Sequence, residues 1–317
     1  MTLGPTTIKS AVALAGEYRA GGTDLQHRLR SGVSRGPLID LTRLPGLSDI
    51  EWDEQGRARV GALVPIATVA SDPRLRAAYP GLALSAGALA TPQIRAAGTL
   101  GGNLLQRNRC WYYRNPAASC LKKGGETCPA RDGNHLYGVC FDFGPCVAPH
   151  PSTLAMALLA HEAEVEVAGS GPRPLAALYG DGTDGRRDHL LDEGHLLTAV
   201  LMPAPVADER AAYFRAIGRA LAEWPLVEAI VRLVVIDATI RLARVAVGGV
   251  APIPLRLRRV EDALLGQPLS HETFERAAAL AAEGAHPLPM TGYKVDLLPP
   301  TVLETLERTR QSPETNQ

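Results

Sequence analysis

The spacing of apolar and polar positions changes period several times along the chain, and each change marks an element. Residues 18–25 (YRAGGTDL) read as a strand end running into a glycine turn, followed by a helix over 26–31 with Asp24 near its N-terminus. Short apolar or alternating runs at 37–41 and 57–62 predict strands, and residues 65–90 shift to helical spacing. A glycine loop is expected at 98–103. Residues 106–150 show little periodicity and are rich in Arg, Cys, Gly, Asn and Pro. A loop of that length inside a compact domain is functional or disordered, and fixed metal ligands are one way to order it. From Ser152, taken as N-cap, the run STLAMALLAHEA predicts an amphipathic helix, and 164–167 begins a strand. Residues 179–194 are polar and glycine-rich and read as a surface loop. A boundary is expected near Pro203-Ala204-Pro205. Beyond it, 225–235 and 240–249 read as two strands or as a helix and a strand, then mostly helix to Arg308 and a polar tail at 311–317. There is no internal repeat.

At 317 residues the chain is long enough for two or three compact regions, at about 100 to 200 residues per domain. Lys plus Arg (33) equals Asp plus Glu (33), so no net field favours nucleic acid or an anionic membrane. An aromatic content of 5% offers little for base-stacking platforms, and no nucleic-acid partner is expected. The N-terminal residues lack the basic, apolar and small-residue order of an export signal, and no run approaches the roughly 18 to 20 apolar residues that cross a bilayer. The expectation is a soluble, cytoplasmic protein without a membrane span.

Two segments combine paired glycines with polar side chains, AGGTDL at 20–25 and GTLGGNL at 98–104. Paired glycines let backbone N–H groups converge on an anion and cradle a diphosphate without a basic side chain. Neither matches the Rossmann G-x-G-x-x-G or the P-loop pattern, and each by itself is also compatible with an ordinary turn. All five cysteines, Cys110, Cys120, Cys128, Cys140 and Cys146, fall in one stretch with the spacing C-x9-C-x7-C-x11-C-x5-C. Four thiolates suit a cubane iron-sulfur cluster, one per iron, and leave one spare. Zinc sites usually carry a short C-x2-4-C knuckle, absent here. Spacing alone leaves cluster, zinc and buried thiols open. His150 reads as a packed loop residue, and no Ser-His-Asp or paired-carboxylate constellation is visible.

AGGTDL at 20–25, ATPQIR at 90–95, GTLGGNL at 98–104, Gln106-Arg107 and RCWYYR at 109–114 resemble the medium, flavin-binding subunit of the xanthine dehydrogenase family. FRAIGRA at 214–220, VGGVAP at 247–252 and GYKV at 292–295 extend the resemblance over residues 15–308. It implies an α+β fold: a two-lobed FAD-binding domain of the vanillyl-alcohol oxidase type, then a smaller α+β C-terminal domain. The expected units are 1–55 and 56–205 for the two lobes, with the cysteine loop at 106–150, and 209–310 for the C-terminal domain.

By resemblance, FAD contacts fall to Ala20, Gly21, Gly22, Thr23, Asp24 and Leu25 and to Thr99, Gly101, Gly102 and Asn103, while Ala90, Leu197 and Arg215 line the flavin pocket. The cysteine loop resembles the subset of the family whose flavin subunit holds a 4Fe-4S cluster. Its ligands map to Cys110, Cys120, Cys128 and Cys146, with Cys140 extra. The implied role is electron transfer between FAD and the 2Fe-2S clusters of a small subunit, with the substrate reacting in a large molybdopterin-binding subunit. A stand-alone FAD oxidoreductase and a zinc-stabilised module are the alternatives. Two departures stand out. Family members place an Asp, which contacts the flavin, in the short motif after the last cysteine, where this chain has Thr153. The segment before AGGTDL is also short, so a truncated first strand is expected.

Overall fold

The structure, a computed structural model, describes residues 1–220 and 222–310; the polar tail expected at 311–317 lies outside the described residues. Three sheets organise it. In the first, β1 (Thr2–Leu3), β2 (Glu17–Arg19) and β3 (Leu38–Asp40) pair in parallel in the order β1-β3-β2. Parallel neighbours need a crossover, and helix Leu25–Arg30 supplies it between β2 and β3. Ala11, Ile39, Leu41, Leu44 and Leu47 form the core beneath. The first strand is two residues long.

The second sheet is antiparallel: β4 (Ile50–Trp52), β5 (Ala58–Gly61), β6 (Glu164–Val167), β7 (Gly171–Pro174) and β8 (Leu197–Leu201), in the order β4-β5-β8-β6-β7. Between β5 and β6 runs a helical layer, Ile66–Ser71, Pro73–Ala78, Pro80–Ala88 and Pro92–Ala97. Three of these start with proline, which costs nothing at a position whose N–H has no helical partner. Thr99 caps the next short helix, Leu100–Leu104, by accepting from the Gly102 N–H, so the expected glycine loop at 98–103 is a helix start.

In the third sheet, β9 (Glu209–Ala216), β10 (Val227–Ile236), β11 (Thr239–Gly248) and β12 (Leu255–Arg256) pair antiparallel in the order β12-β11-β10-β9. The alternative at 225–249 is thereby resolved as two strands. Asp237 and Ala238 both have positive φ, the backbone a tight hairpin needs. Helices Arg258–Leu264, His271–Ala278 and Gly292–Arg308 complete an α+β unit.

Helix Thr153–Ala160 corrects the sequence reading. Ser152 is its N-cap as expected, but seven of its eight residues are buried, so it is not amphipathic. It lies between helix Pro80–Ala88 and strands β10 and β11, apolar neighbours on both sides. Arg232 of β10 fastens the junction: it donates to the Ala160 carbonyl at 2.6 Å and pairs with Glu209. Among the described residues no helix is long and apolar enough to cross a membrane.

Candidate functional site

The first glycine segment leaves the end of β2 and enters helix Leu25–Arg30. Among the described residues, the backbone N–H groups of Gly21, Gly22, Thr23 and Asp24 find no backbone acceptor and remain available to a ligand. Gly22 has φ +73°, which favours glycine. At Gly21 an added Cβ would lie 1.6 Å from the Ala97 carbonyl oxygen, so only glycine lets this segment touch the second one. The second segment is pinned by Ile66 N–H to Gly98 O (2.9 Å), Leu100 N–H to Val64 O (2.9 Å) and Gly101 N–H to Ala62 O (2.8 Å). Asn103 is tied to the helix beyond the cysteine loop, its Oδ1 accepting from the Ser152 hydroxyl at 2.6 Å.

Two cavities meet along this contact. The first, about 690 Å³, lies over Ala20, Gly21, Gly22, Leu25, Gly101 and Leu197. The second, about 740 Å³, is lined by Ala90, Asn103, Thr153 and Arg215. Thr23, Asp24, Thr99, Gly102 and Gln106 belong to both. All fourteen residues expected to contact FAD therefore line one or other of these two adjoining cavities, although Leu197 opens on the first, apart from Ala90 and Arg215. Ala90 has φ +50°, a strained backbone for alanine, and the Arg95 guanidinium holds it by donating to the Leu89 and Ala90 carbonyls, each at 2.9 Å.

Basic side chains do stand at this waist, contrary to a cradle built from backbone alone. Asp24 pairs with Arg109 (2.6 Å), Arg114 (2.7 Å) and Arg28 (3.1 Å). Burial alone would raise its carboxyl pKa, but the three guanidiniums outweigh that and hold it below the usual value. Burial with its neighbouring guanidiniums pulls Arg109 down to about 10, against the favourable charge of Asp24. Arg28 also pairs with Glu17 at 2.5 Å, so three cations meet two carboxylates and one positive charge is left over in this group. The glycine pattern gave no signal for this, because Arg109 and Arg114 lie some 85 and 90 residues from Asp24 in the chain.

Thr153 does not stand in an acid's place unaided. Its hydroxyl donates to Glu228 of β10 at 2.9 Å, and Tyr213 donates to the same carboxylate at 2.6 Å. Glu228 is buried, which raises its pKa against those hydrogen bonds. Sequence reasoning missed it, yet a Glu within the apolar run VEAIVRLVVI was a legible signal.

The cysteine loop sorts its thiols into two groups. Cys110, Cys128 and Cys146 pack in one small apolar cluster with Leu121 and Ala148, and Cys120 and Cys128 both act electrostatically on Cys110. A hydrogen bond with Cys146 lowers Cys128 to about 5, and the same contact raises Cys146. Cys140 lies apart in the C-terminal core beside Phe141. No disulfide links any of the five. Among the described residues no three His, Cys, Asp or Glu side chains gather closely enough for a single metal ion. Asp188 anchors the loop from the 179–194 segment, pairing with Lys122 and Arg107, each at 3.0 Å. Despite full burial these cations bring it down to about 2. The 179–194 segment is thus a loop, as expected, but with a buried inner side. His150 is buried against Tyr179, ring centroids 4.5 Å apart.

Residues 3–205 match the family described as FAD binding domain in molybdopterin dehydrogenase, and residues 212–298 match the CO dehydrogenase flavoprotein C-terminal domain. The chain is 31% identical, over 93% of its length and 91% of the relative's, to the aldehyde oxidoreductase FAD-binding subunit of Escherichia coli. It is 26% identical, over 87% of its length and 84% of the relative's, to the carbon monoxide dehydrogenase medium chain of Hydrogenophaga pseudoflava. A solved carbon monoxide dehydrogenase structure from the same organism superposes with a TM-score of 0.76 at 24% identity, covering 98% of this chain and 96% of that one, and shows the fold.

Proposed function

Because the chain belongs to the FAD-binding subunits of the molybdenum hydroxylase family, among oxidoreductase flavoproteins, we propose that it carries one FAD across the two joined cavities and a 4Fe-4S cluster in its cysteine loop. In this reading it passes electrons between the 2Fe-2S clusters of a small subunit and an external acceptor or donor, while substrate reacts in a large molybdopterin-binding subunit. The units at 1–55, 56–205 and 209–310 then take one sheet each, except that β4 (Ile50–Trp52), within 1–55, pairs with β5 in the second sheet.

The observation that carries the flavin assignment is the waist. Gly21 to Asp24, whose N–H groups have no backbone acceptor, line the first cavity, Thr23 and Asp24 line the second as well, and the arginines on Asp24 add positive charge there. That combination suits a diphosphate with a large group at either end. Ala20 to Leu25 with Thr99, Gly101, Gly102 and Asn103 would hold the diphosphate and its chain, and Ala90, Thr153, Leu197 and Arg215 would line the ends. Bound there, FAD supplies a redox carrier, and the chain's own task is to hold and orient it. Arg215 faces the second cavity from β9, and the Thr153–Glu228–Tyr213 hydrogen bonds fix the polar edge beside it.

The cluster assignment is supported by the segregation of the thiols. A cubane takes one thiolate per iron, so its ligands need not crowd a single point as those of a lone ion must. Cys110, Cys120, Cys128 and Cys146 suit that role, and Arg131 and Lys122 act on Cys146 as positive neighbours. The test is iron and sulfide analysis of the anaerobically purified protein with single Cys→Ser variants. Cys128→Ser should remove the iron and the broad visible absorption while flavin remains, and Cys140→Ser should keep both. Iron retained in Cys128→Ser, or lost in Cys140→Ser, contradicts the ligand set, and zinc in place of iron contradicts the cluster.

A further inference from the structure

A third cavity, about 600 Å³, opens between the cysteine loop and the C-terminal sheet and is used by neither proposed cofactor. Its size is within the range of small-molecule sites. It shares Arg109, Trp111, Pro151, Trp224 and Pro225 with the wall of the second cavity. The opposite wall includes Cys110, Ala130, Val147 and Ala148, the residues packed about the cysteine cluster. A molecule held here sits between the two proposed redox centres.

The lining has a definite chemistry. Trp111, Tyr137 and Trp224 present rings at the mouth, 66%, 53% and 49% exposed, although large aromatics are usually buried. Arg109 packs over the Trp224 ring at 4.7 Å. At the floor Lys294 is only 1% exposed. Its ammonium donates to the carbonyls of Gly249 (2.6 Å) and Tyr137 (3.4 Å), and an ammonium has three N–H groups, so one is left over. Among the described residues no carboxylate forms an ion pair with it. His150, also buried, accepts from the Ser152 N–H on Nδ1, and its Nε2 is enclosed without a partner. The cavity thus offers aromatic faces at its mouth and one unspent buried N–H at its base, with the Glu223 and Glu228 carboxylates also in its lining.

A nicotinamide dinucleotide would need a diphosphate holder. Of the glycine pair Gly248-Gly249, Gly248 belongs to β11 and only Gly249 lines the third cavity, its carbonyl already taken by Lys294, and the guanidinium there, Arg109, is already engaged by Asp24 and Gln106. Dioxygen would need neither the volume nor the donor. A flat ring bearing carbonyl oxygens uses both, stacking on the aromatic side chains and accepting from the buried Lys294 ammonium.

We propose that this third cavity binds a quinone as the external oxidant, its ring against Trp111, Trp224 and Tyr137 and one carbonyl oxygen accepting from Lys294. The inference rests on the flavin reading above. Reduction to the hydroquinone adds two electrons and two protons and turns both carbonyls into hydroxyls; a fully reduced flavin gives up two of each, so no further reactant is required.

The test is an anaerobic titration of the flavin-loaded protein with a water-soluble naphthoquinone, followed by tryptophan fluorescence and calorimetry. Two of the three tryptophans line the cavity, so saturable quenching is expected. Lys294→Met should weaken binding about tenfold, the loss of one charged donor. Should that variant not fold, Tyr137→Ala at the rim, expected to weaken binding roughly threefold, takes its place. Absence of saturable binding, affinity unchanged in the variants, or saturable binding of NAD in the quinone's place overturns the proposal. Flavin content measured on the same sample separates the readings: flavin present without quinone binding defeats this inference alone, and a protein that takes up no flavin defeats both.

Discussion

Asp24 and Asp188 do at the residue scale what no local pattern announces: each holds the cysteine loop to another part of the chain through buried cations. Removing one partner of such a group leaves charge uncompensated, at a cost of roughly 3 kcal/mol. Asp24→Asn is therefore expected to lower the unfolding free energy of the flavin-free protein by about that amount in a urea titration; an unchanged midpoint contradicts the hub. Asp188 gives a pH signature. Its folded pKa of about 2 lies below the ordinary value near 4, so its stabilisation is complete above about pH 4 and lost as pH falls towards 2. Stability should fall by roughly 2–3 kcal/mol across that window through this group, and Asp188→Asn, already less stable at neutral pH, should lack that part of the fall. A variant with the same acid slope as the parent sinks the assignment.

Among the elements, the glycine segments are where sequence and structure agree most directly. AGGTDL was legible through the family resemblance it helps carry, since by itself it also fits an ordinary turn; the structure adds that Gly22 has positive φ and that Gly21 has no room for a Cβ. Gly21→Ala should force the two segments apart and release the flavin, measured as flavin retained after gel filtration. Gly124→Ala is the control: its φ of +85° costs strain, but no atom lies within 4 Å of the added Cβ, and flavin should remain. Retention of full flavin by Gly21→Ala contradicts the cradle. Other elements were harder to read. The helix at 153–160 has a single polar residue, Thr153 at its start, and its burial comes from strands that follow it by some 70 residues, which local periodicity does not report. The choice at 225–249 was open because a run of Val, Ile and Leu suits a buried strand and a buried helix alike; the turn at Asp237-Ala238 settles it. Glu228 and Arg232, charges inside that run, were the visible sign that strand β10 carries a polar task.

At the scale of the whole molecule, three sheets enclose a waist whose parts come from distant stretches of chain: the end of β2, the helix start at Thr99, the arginines of the cysteine loop, and Arg215 of β9. The α+β class was implied by the resemblance that the motifs carry, whereas the arginine hub and the third cavity depend on which loops meet, and only the fold determines that. The account's central claim is that the waist holds one FAD. Releasing the flavin from the purified chain with acid, identifying it and counting it against protein tests this most directly. The account predicts FAD in a ratio near one to one, restored after stripping by adding FAD alone; a chain that holds no flavin as purified and takes up none on reconstitution would contradict it.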